Sequence, residues 1–331
     1  MIKKSNIPNI QDFSERIKSG DRVALGRAIT YVESSLPAHQ NFIQEVLNLL
    51  MPFTGNAIRI GITGSPGVGK STFVDTFGMH LIKQGHKVGV LAVDPSSRQT
   101  GGSILGDKTR MMKLGASPSA FVRPSPAGKT LGGVTQHTRE SILLCEAAGY
   151  DIILVETVGV GQSETAVYEM TDFYLLMILS GAGDELQGIK RGVVELADLV
   201  VVNKADGENK MLAQKAKTAY TNALHLFPAK ESQWVPPVVT ASALEEIGID
   251  EIWQQIKKHH QLVKESGYLL AQRQRQLLQW MDDALQLEIF SHFFSDERLK
   301  KSIEQRKKQV LALKITPFSA AKQLILLFLQ K

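Results

Sequence analysis

The chain has 331 residues, 43% of them apolar and 21% charged, with a formal net charge of +5. That length holds one full α/β domain with helical additions, and the composition is that of an ordinary globular chain. A single cysteine excludes a disulfide framework and a C-x-x-C metal site, and the modest, dispersed positive charge argues against a nucleic-acid surface.

Residues 1 to about 54 read as short helices, with apolar positions such as Val23, Leu25, Ile29, Phe42, Val46 and Leu49. No apolar run follows the N-terminal lysines, so no secretory signal is read there and a cytoplasmic protein is expected. From residue 55 to about 262 strand and helix patterns alternate. This rhythm predicts an α/β fold, a mostly parallel sheet covered by helices on both faces.

The first strand of that region, Ala57 to Thr63, is short, apolar and rich in β-branched residues. It runs into Gly64-Ser65-Pro66-Gly67-Val68-Gly69-Lys70-Ser71, a complete G-x-x-x-x-G-K-S phosphate loop, with Thr72 next and helical spacing to Gln84. The glycines allow backbone N–H groups to approach phosphates, and the helix N-terminus adds a positive dipole end. Lys70 is expected on the β and γ phosphates and the Ser71 hydroxyl on Mg²⁺.

A second strand, Val88 to Val93, delivers Asp94-Pro95-Ser96-Ser97 to the same sheet edge. The stretch 95–133, rich in Gly, Pro and Ser, reads as a switch loop rather than a linker. Within it, Asp107 is either an acid near the metal or the attacking water, or a helix N-terminal Asp favoured by the dipole. Cys145 lies in an apolar helical stretch and is expected to be a buried thiol. The strand Asp151 to Val155 ends in Glu156-Thr157-Val158-Gly159, which resembles the D-x-x-G element of GTPases with Glu in the Asp place. Its carboxylate would hold Mg²⁺ through water, and the Gly159 N–H would reach the γ-phosphate. The residue after this element is Val160, with Gln162 two further on. A water-positioning Gln directly after the glycine is therefore missing, which predicts slow intrinsic hydrolysis.

Leu199 to Val202 is another apolar strand, closed by Asn203-Lys204-Ala205-Asp206. The Asp206 carboxylate can accept from both N1–H and the 2-amino group of guanine, whereas adenine offers it a lone pair. A buried acceptor without its donor costs about 1–3 kcal/mol, so the motif selects guanine. Ser242-Ala243-Leu244 follows the strand-like Pro237 to Thr240 and resembles the further guanine-contacting loop of G proteins.

Beyond 262 every pattern is helical. Leu269, Leu270, Leu277, Leu278, Met281, Leu285, Ile289 and Phe293 recur mostly at spacings of three and four, which predicts a long amphipathic helix that either packs on its own core or, the favoured reading, serves as a dimerisation arm. Lys300-Lys301 and Arg306-Lys307-Lys308 form a solvated face of the next helical stretch. The apolar run Leu324 to Leu329 is far short of a membrane span. Three segments are thus expected: 1–54 helical, 55–262 a phosphate-loop GTPase domain, and 263–331 a helical extension.

Taken together, Gly64 to Ser71, Val93 to Ser97, the run Gly101 to Met111, Glu156 to Ser163 and Asn203 to Asp206 resemble the MeaB/ArgK family. These are GTPases of the SIMIBI class, chaperones of adenosylcobalamin-dependent methylmalonyl-CoA mutase. The resemblance covers the central domain densely, and the helical ends suit the family's layout. It implies GTP hydrolysis to GDP and phosphate, with Asp94, Asp107 and Glu156 around the magnesium. It also implies that Gly181 to Gly192 is an extra switch, read by the mutase, with Lys190 making nucleotide-dependent contacts; by pattern alone that segment reads as a loop entering a helix. Cobalamin would enter only through the partner. The expected role is a gate on cofactor loading that protects or reactivates the mutase.

Three other readings fit parts of the chain. A phosphate-loop kinase linked to amino-acid transport would need an acceptor pocket that is not legible. A nickel-delivery GTPase would need Cys and His ligands, and His259-His260 is the only adjacent histidine pair. A nucleotide-sensing scaffold would differ only in not needing hydrolysis.

Overall fold

The computed structural model describes residues 7–93, 111–124, 131–157, 163–180 and 191–329. Three helices open the chain: α1 (Ile10–Lys18), α2 (Arg22–Val32) and α3 (Pro37–Leu50). Asn9 caps α1 by accepting from the Asp12 amide, and Asp21 caps α2 by accepting from Val23 and Ala24. Their inward faces bury Phe13, Ile17, Leu25, Ile29, Phe42, Val46 and Leu50. Val23 and Leu49 point outward instead.

The central region alternates strand and helix: β1 (Ile58–Gly64), α4 (Lys70–Lys83), β2 (Val88–Val93), α5 (Met112–Ala116), β3 (Ala120–Arg123), α6 (Leu131–Ala147), β4 (Ile152–Thr157), α7 (Ser163–Tyr168), β5 (Phe173–Leu179), α8 (Arg191–Leu196), β6 (Leu199–Asn203), α9 (Lys210–Leu224), β7 (Val238–Thr240) and α10 (Ile249–Glu265). The strands form one seven-stranded sheet in the order β3-β2-β4-β1-β5-β6-β7. Every pairing in it is parallel.

Strands buried on both faces read as continuous apolar runs, and Leu199-Val200-Val201-Val202 is such a run. On one face Ile60, Ile62, Val90, Leu154, Leu175 and Val201 pack against Phe73 and Phe77 of α4 and Trp253 of α10. The residues between them, including Ile153, Val155, Leu176 and Val200, are buried too. The α1–α3 group packs on α6. Cys145 lies fully buried on α6, and burial pushes its thiol pKa up, which keeps it protonated.

Charged groups are buried at the amino ends of the strands. Arg59 on β1 pairs with Glu146 at 2.8 Å, and its amide donates to Asp172 at 2.8 Å. Asp172 in turn takes two bonds from Arg273, at 2.9 and 2.7 Å. Arg273 also donates to the Gly55 and Ala57 carbonyls. It belongs to α11 (Tyr268–Ser295), so this network ties the start of the C-terminal helices to the sheet.

The chain divides into two compact units, residues 1–276 and 277–331. The second holds the rest of α11, then α12 (Glu297–Leu311), capped by Asp296, and α13 (Pro317–Leu329). Phe293 meets Phe328 edge-on at 5.2 Å. Leu278, Met281, Leu285 and Ile289 are exposed along α11. Among the described residues no helix is long and apolar enough to cross a membrane.

Candidate nucleotide site

The register of the sheet builds the site. Ile62 on β1 stands opposite Glu156 on β4, and Gly64 stands opposite Met177 on β5. The phosphate loop therefore leaves β1 flanked by the Glu156 carboxylate, at the carboxyl edge where ligands gather in open α/β sheets. At Gly64 a Cβ would lie 2.3 Å from the Met177 carbonyl oxygen, and at Gly69, with φ +95°, it would lie 2.9 Å from the Asn203 amide nitrogen. Both glycines are required by close approach: one by the neighbouring strand, the other by the guanine motif.

Lys70 opens α4 and curls back over the loop, its Nζ donating to the Gly64 carbonyl at 2.7 Å and the Ser65 carbonyl at 3.2 Å. Burial pushes its pKa down, while the Glu156 and Glu164 carboxylates pull it back up. An ammonium so held lies where phosphate oxygens can replace the carbonyls as partners. Ser71 Oγ donates to Glu156 Oε1 at 3.1 Å, and Glu156 is 3% exposed. These two oxygen donors, predicted as metal ligands, stand together, and their chemistry suits Mg²⁺, which binds few protein oxygens and completes its shell with waters and phosphates. Behind them Thr157 Oγ1 donates to Thr63 Oγ1 at 3.1 Å and stitches β4 to β1.

At the same sheet edge Asn203 ends β6. Its side-chain amide donates to the Val68 carbonyl at 2.8 Å and accepts from the Ala243 N–H at 3.2 Å. Asp206 accepts from the Ser242 hydroxyl, and the Ala205 N–H donates to the Ala241 carbonyl at 2.9 Å. Lys204 takes the left-handed conformation at φ 58°, with its stem over Gly69. Leu244 is exposed, at the tip of a turn closed by paired Ser242 and Ile247 backbone bonds of 3.0 Å. So Asn203, Lys204, Asp206, Ser242, Ala243 and the phosphate loop, three segments far apart in sequence, converge on one edge. Pro66 and Gly67 form the exposed crown of the loop, Val68 is buried beneath it, and Thr72 is exposed on α4.

Asp94, Asp107, Gly159 and Lys190 lie outside the described residues. Two contributors escaped the motif reading. Glu164, in the first turn of α7, is buried and acts electrostatically on Lys70; an acid opening a helix just after Glu156-Thr157-Val158-Gly159 was its only signal. Thr76, on the inward side of α4, donates to the Ala243 carbonyl at 2.9 Å. A polar residue in an apolar helix face was the trace it left.

Residues 25–298 match the family model described as "Methylmalonyl Co-A mutase-associated GTPase MeaB". The chain is 49% identical over 316 residues to a probable GTPase of Mycobacterium tuberculosis, covering 96% of this chain and 94% of that protein. It is 46% identical to the GTPase ArgK of Escherichia coli, covering 96% of each. To the mitochondrial methylmalonic aciduria type A homolog of Mus musculus it is 42% identical, covering 96% of this chain and 80% of the mouse protein. Among solved structures it resembles the crystal structure of a protein named LAO/AO transport system kinase, with TM-score 0.76, 40% identity, and coverage of 99% and 100%.

Proposed function

The chain belongs to the methylmalonyl-CoA mutase-associated GTPase family, MeaB, and is a GTPase; from that premise we propose that it is a Mg²⁺-dependent chaperone of an adenosylcobalamin-dependent methylmalonyl-CoA mutase, gating cofactor loading and protecting or reactivating that enzyme. The single observation that carries the nucleotide half is the Asn203 side chain. By bonding Val68 and Ala243 at once, it makes the phosphate grip and the base-side loop one rigid piece. The mutase half is supported by the family's own description and by relatives named for methylmalonic aciduria.

In this reading residues 55–262 form the catalytic domain. The loop amides and the N-terminus of α4 bind the phosphates. Lys70 moves from the Gly64 and Ser65 carbonyls to the β and γ phosphates, and its charge stabilises the negative charge that develops there. Ser71, Glu156, Asp94 and Asp107 would hold Mg²⁺, which supplies charge neutralisation of the phosphates when bound. Asp206 selects guanine by accepting from its two donors. The segments that follow β2, β4 and β5, with Gly159 and Lys190, change state with the γ-phosphate, and a partner that prefers one state must alter nucleotide affinity in return. The exposed apolar residues of α11 support a homodimer through the C-terminal helices.

The test is GTP turnover by the purified protein alone and with the mutase from the same cell. Saturable stimulation by the mutase is expected. Unchanged turnover, with no complex in any nucleotide state, would overturn the chaperone role. A second reading, a kinase linked to amino-acid transport, is favoured only by the name of the solved relative. Transfer of labelled γ-phosphate to an acceptor other than water would select it.

A further inference from the structure

Ala243 is held through both of its backbone polar groups. Its N–H donates to Asn203 Oδ1 at 3.2 Å, and its carbonyl accepts from Thr76 Oγ1 at 2.9 Å. Both Ala243 and Thr76 are buried. The internal bonds of the 242–247 turn, between Ser242 and Ile247, fix its shape but not its height above the phosphate loop. That height is set by the Ala205–Ala241 and Ala241–Val202 backbone bonds of 2.9 Å together with the two contacts on Ala243. One comes from the guanine motif, and the other from the helix whose first residues, Lys70 and Ser71, face the phosphates. Thr76 lies six residues after Lys70, about 9 Å along the helix at about 1.5 Å per residue.

We propose that Thr76 is a positioning residue for base recognition. It ties the phosphate-gripping helix to the Ser242-Ala243-Leu244 loop, so that phosphate and guanine are met at a fixed separation. The physical basis is the directionality of a buried hydroxyl-to-carbonyl bond. Without the hydroxyl the Ala243 carbonyl is left buried and unpaired, and the loop must shift to find a new donor. A shifted loop carries Ser242 with it, and Ser242 is the hydroxyl that orients the Asp206 carboxylate. The effect therefore falls on the base and spares the phosphates. This inference rests on the reading that Asp206 meets the guanine.

The experiment compares dissociation constants for GDP and ADP in the wild type, Thr76→Val and Thr76→Ser, with a thermal melt of each. Thr76→Val is expected to weaken GDP by about tenfold, equivalent to about 1.4 kcal/mol, while ADP, held by its phosphates, is unchanged. Thr76→Ser, which keeps the hydroxyl, restores GDP affinity. If Thr76→Val does not fold, Thr76→Ala reads the same loss, because it removes the hydroxyl without burying an extra methyl. Equal weakening of GDP and ADP would make Thr76 merely structural and overturn the inference, as would full GDP discrimination in the variant. A wild type that binds ADP as well as GDP would overturn the guanine reading and this inference together.

Discussion

Ser71 and Glu156, 85 residues apart in the chain, share a hydrogen bond of 3.1 Å between the first turn of α4 and the end of β4. The contact joins the phosphate loop to the end of the strand that leads toward Val158 and Gly159. Glu156→Gln keeps an acceptor for Ser71 but removes the charge. It is expected to lower kcat by about 10²-fold or more, as loss of a preorganised charge at a reacting centre does. GDP affinity without Mg²⁺ should stay near the wild-type value. Turnover and binding titrations with and without Mg²⁺ check this, and an undiminished kcat would remove Glu156 from the site.

Lys70 is a buried ammonium whose partners are loop carbonyls. Lys70→Ala is expected to reduce GTP turnover by about 10³-fold, since it removes the one side-chain cation of the loop. The fold should survive, because the cost of burying the cation is removed together with its bonds to the Gly64 and Ser65 carbonyls. Turnover assays and a thermal melt read the two effects separately. A variant that is inactive because it is unfolded would contradict this assignment.

Asp206→Asn should exchange base specificity. The Asn amide offers a donor where the carboxylate only accepts, so GDP affinity is expected to fall by about 10²-fold or more. Xanthosine diphosphate, with a carbonyl in place of the 2-amino group, should gain. Competition of the two nucleotides against a fluorescent analogue measures this, and unchanged GDP binding would place the base elsewhere.

The Asp172–Arg273 pair sets an acid limit on folding. Burial raises the Asp172 pKa, but the Arg273 hydrogen bonds and charge, with Arg59, outweigh it and hold the carboxyl below the usual carboxylate value. A carboxyl with a depressed folded pKa contributes stability above its unfolded pKa of about 3.9 and loses it as pH falls through the lower, folded value. Asp172→Asn should therefore flatten the loss of stability below about pH 4. At neutral pH it should cost about 3–5 kcal/mol, because Arg273 loses the buried carboxylate it is bonded to, whereas Arg59 keeps Glu146. Urea titrations at several pH values test both statements. An unaltered acid slope would mean that another group sets it.

Much of the protein was legible in its residues because the signals are local. A run such as Leu199 to Val202 can be buried on both sides only in a covered parallel sheet, and the phosphate loop imposes its own strand-turn-helix context. The Asn203 to Asp206 motif could be singled out because guanine alone among the common bases offers a carboxylate two adjacent donors, N1–H and the 2-amino group. Even the helical ends could be expected from periodicity, although Val23 and Leu49 were apolar without being inward.

What only the tertiary structure decided are contacts between residues far apart in sequence. The strand order brought Glu156 beside Ser71, carried Asn203 beneath the phosphate loop and set Thr76 against Ala243. It also gathered Arg59, Glu146, Asp172 and Arg273 into one buried network. Apart from Ser71 and Glu156, which the motifs assign to one metal, none of these partners could be named from spacing. A side chain's type says what bond it must find once buried, but the identity of the partner follows from register and crossover, which the whole sheet determines together.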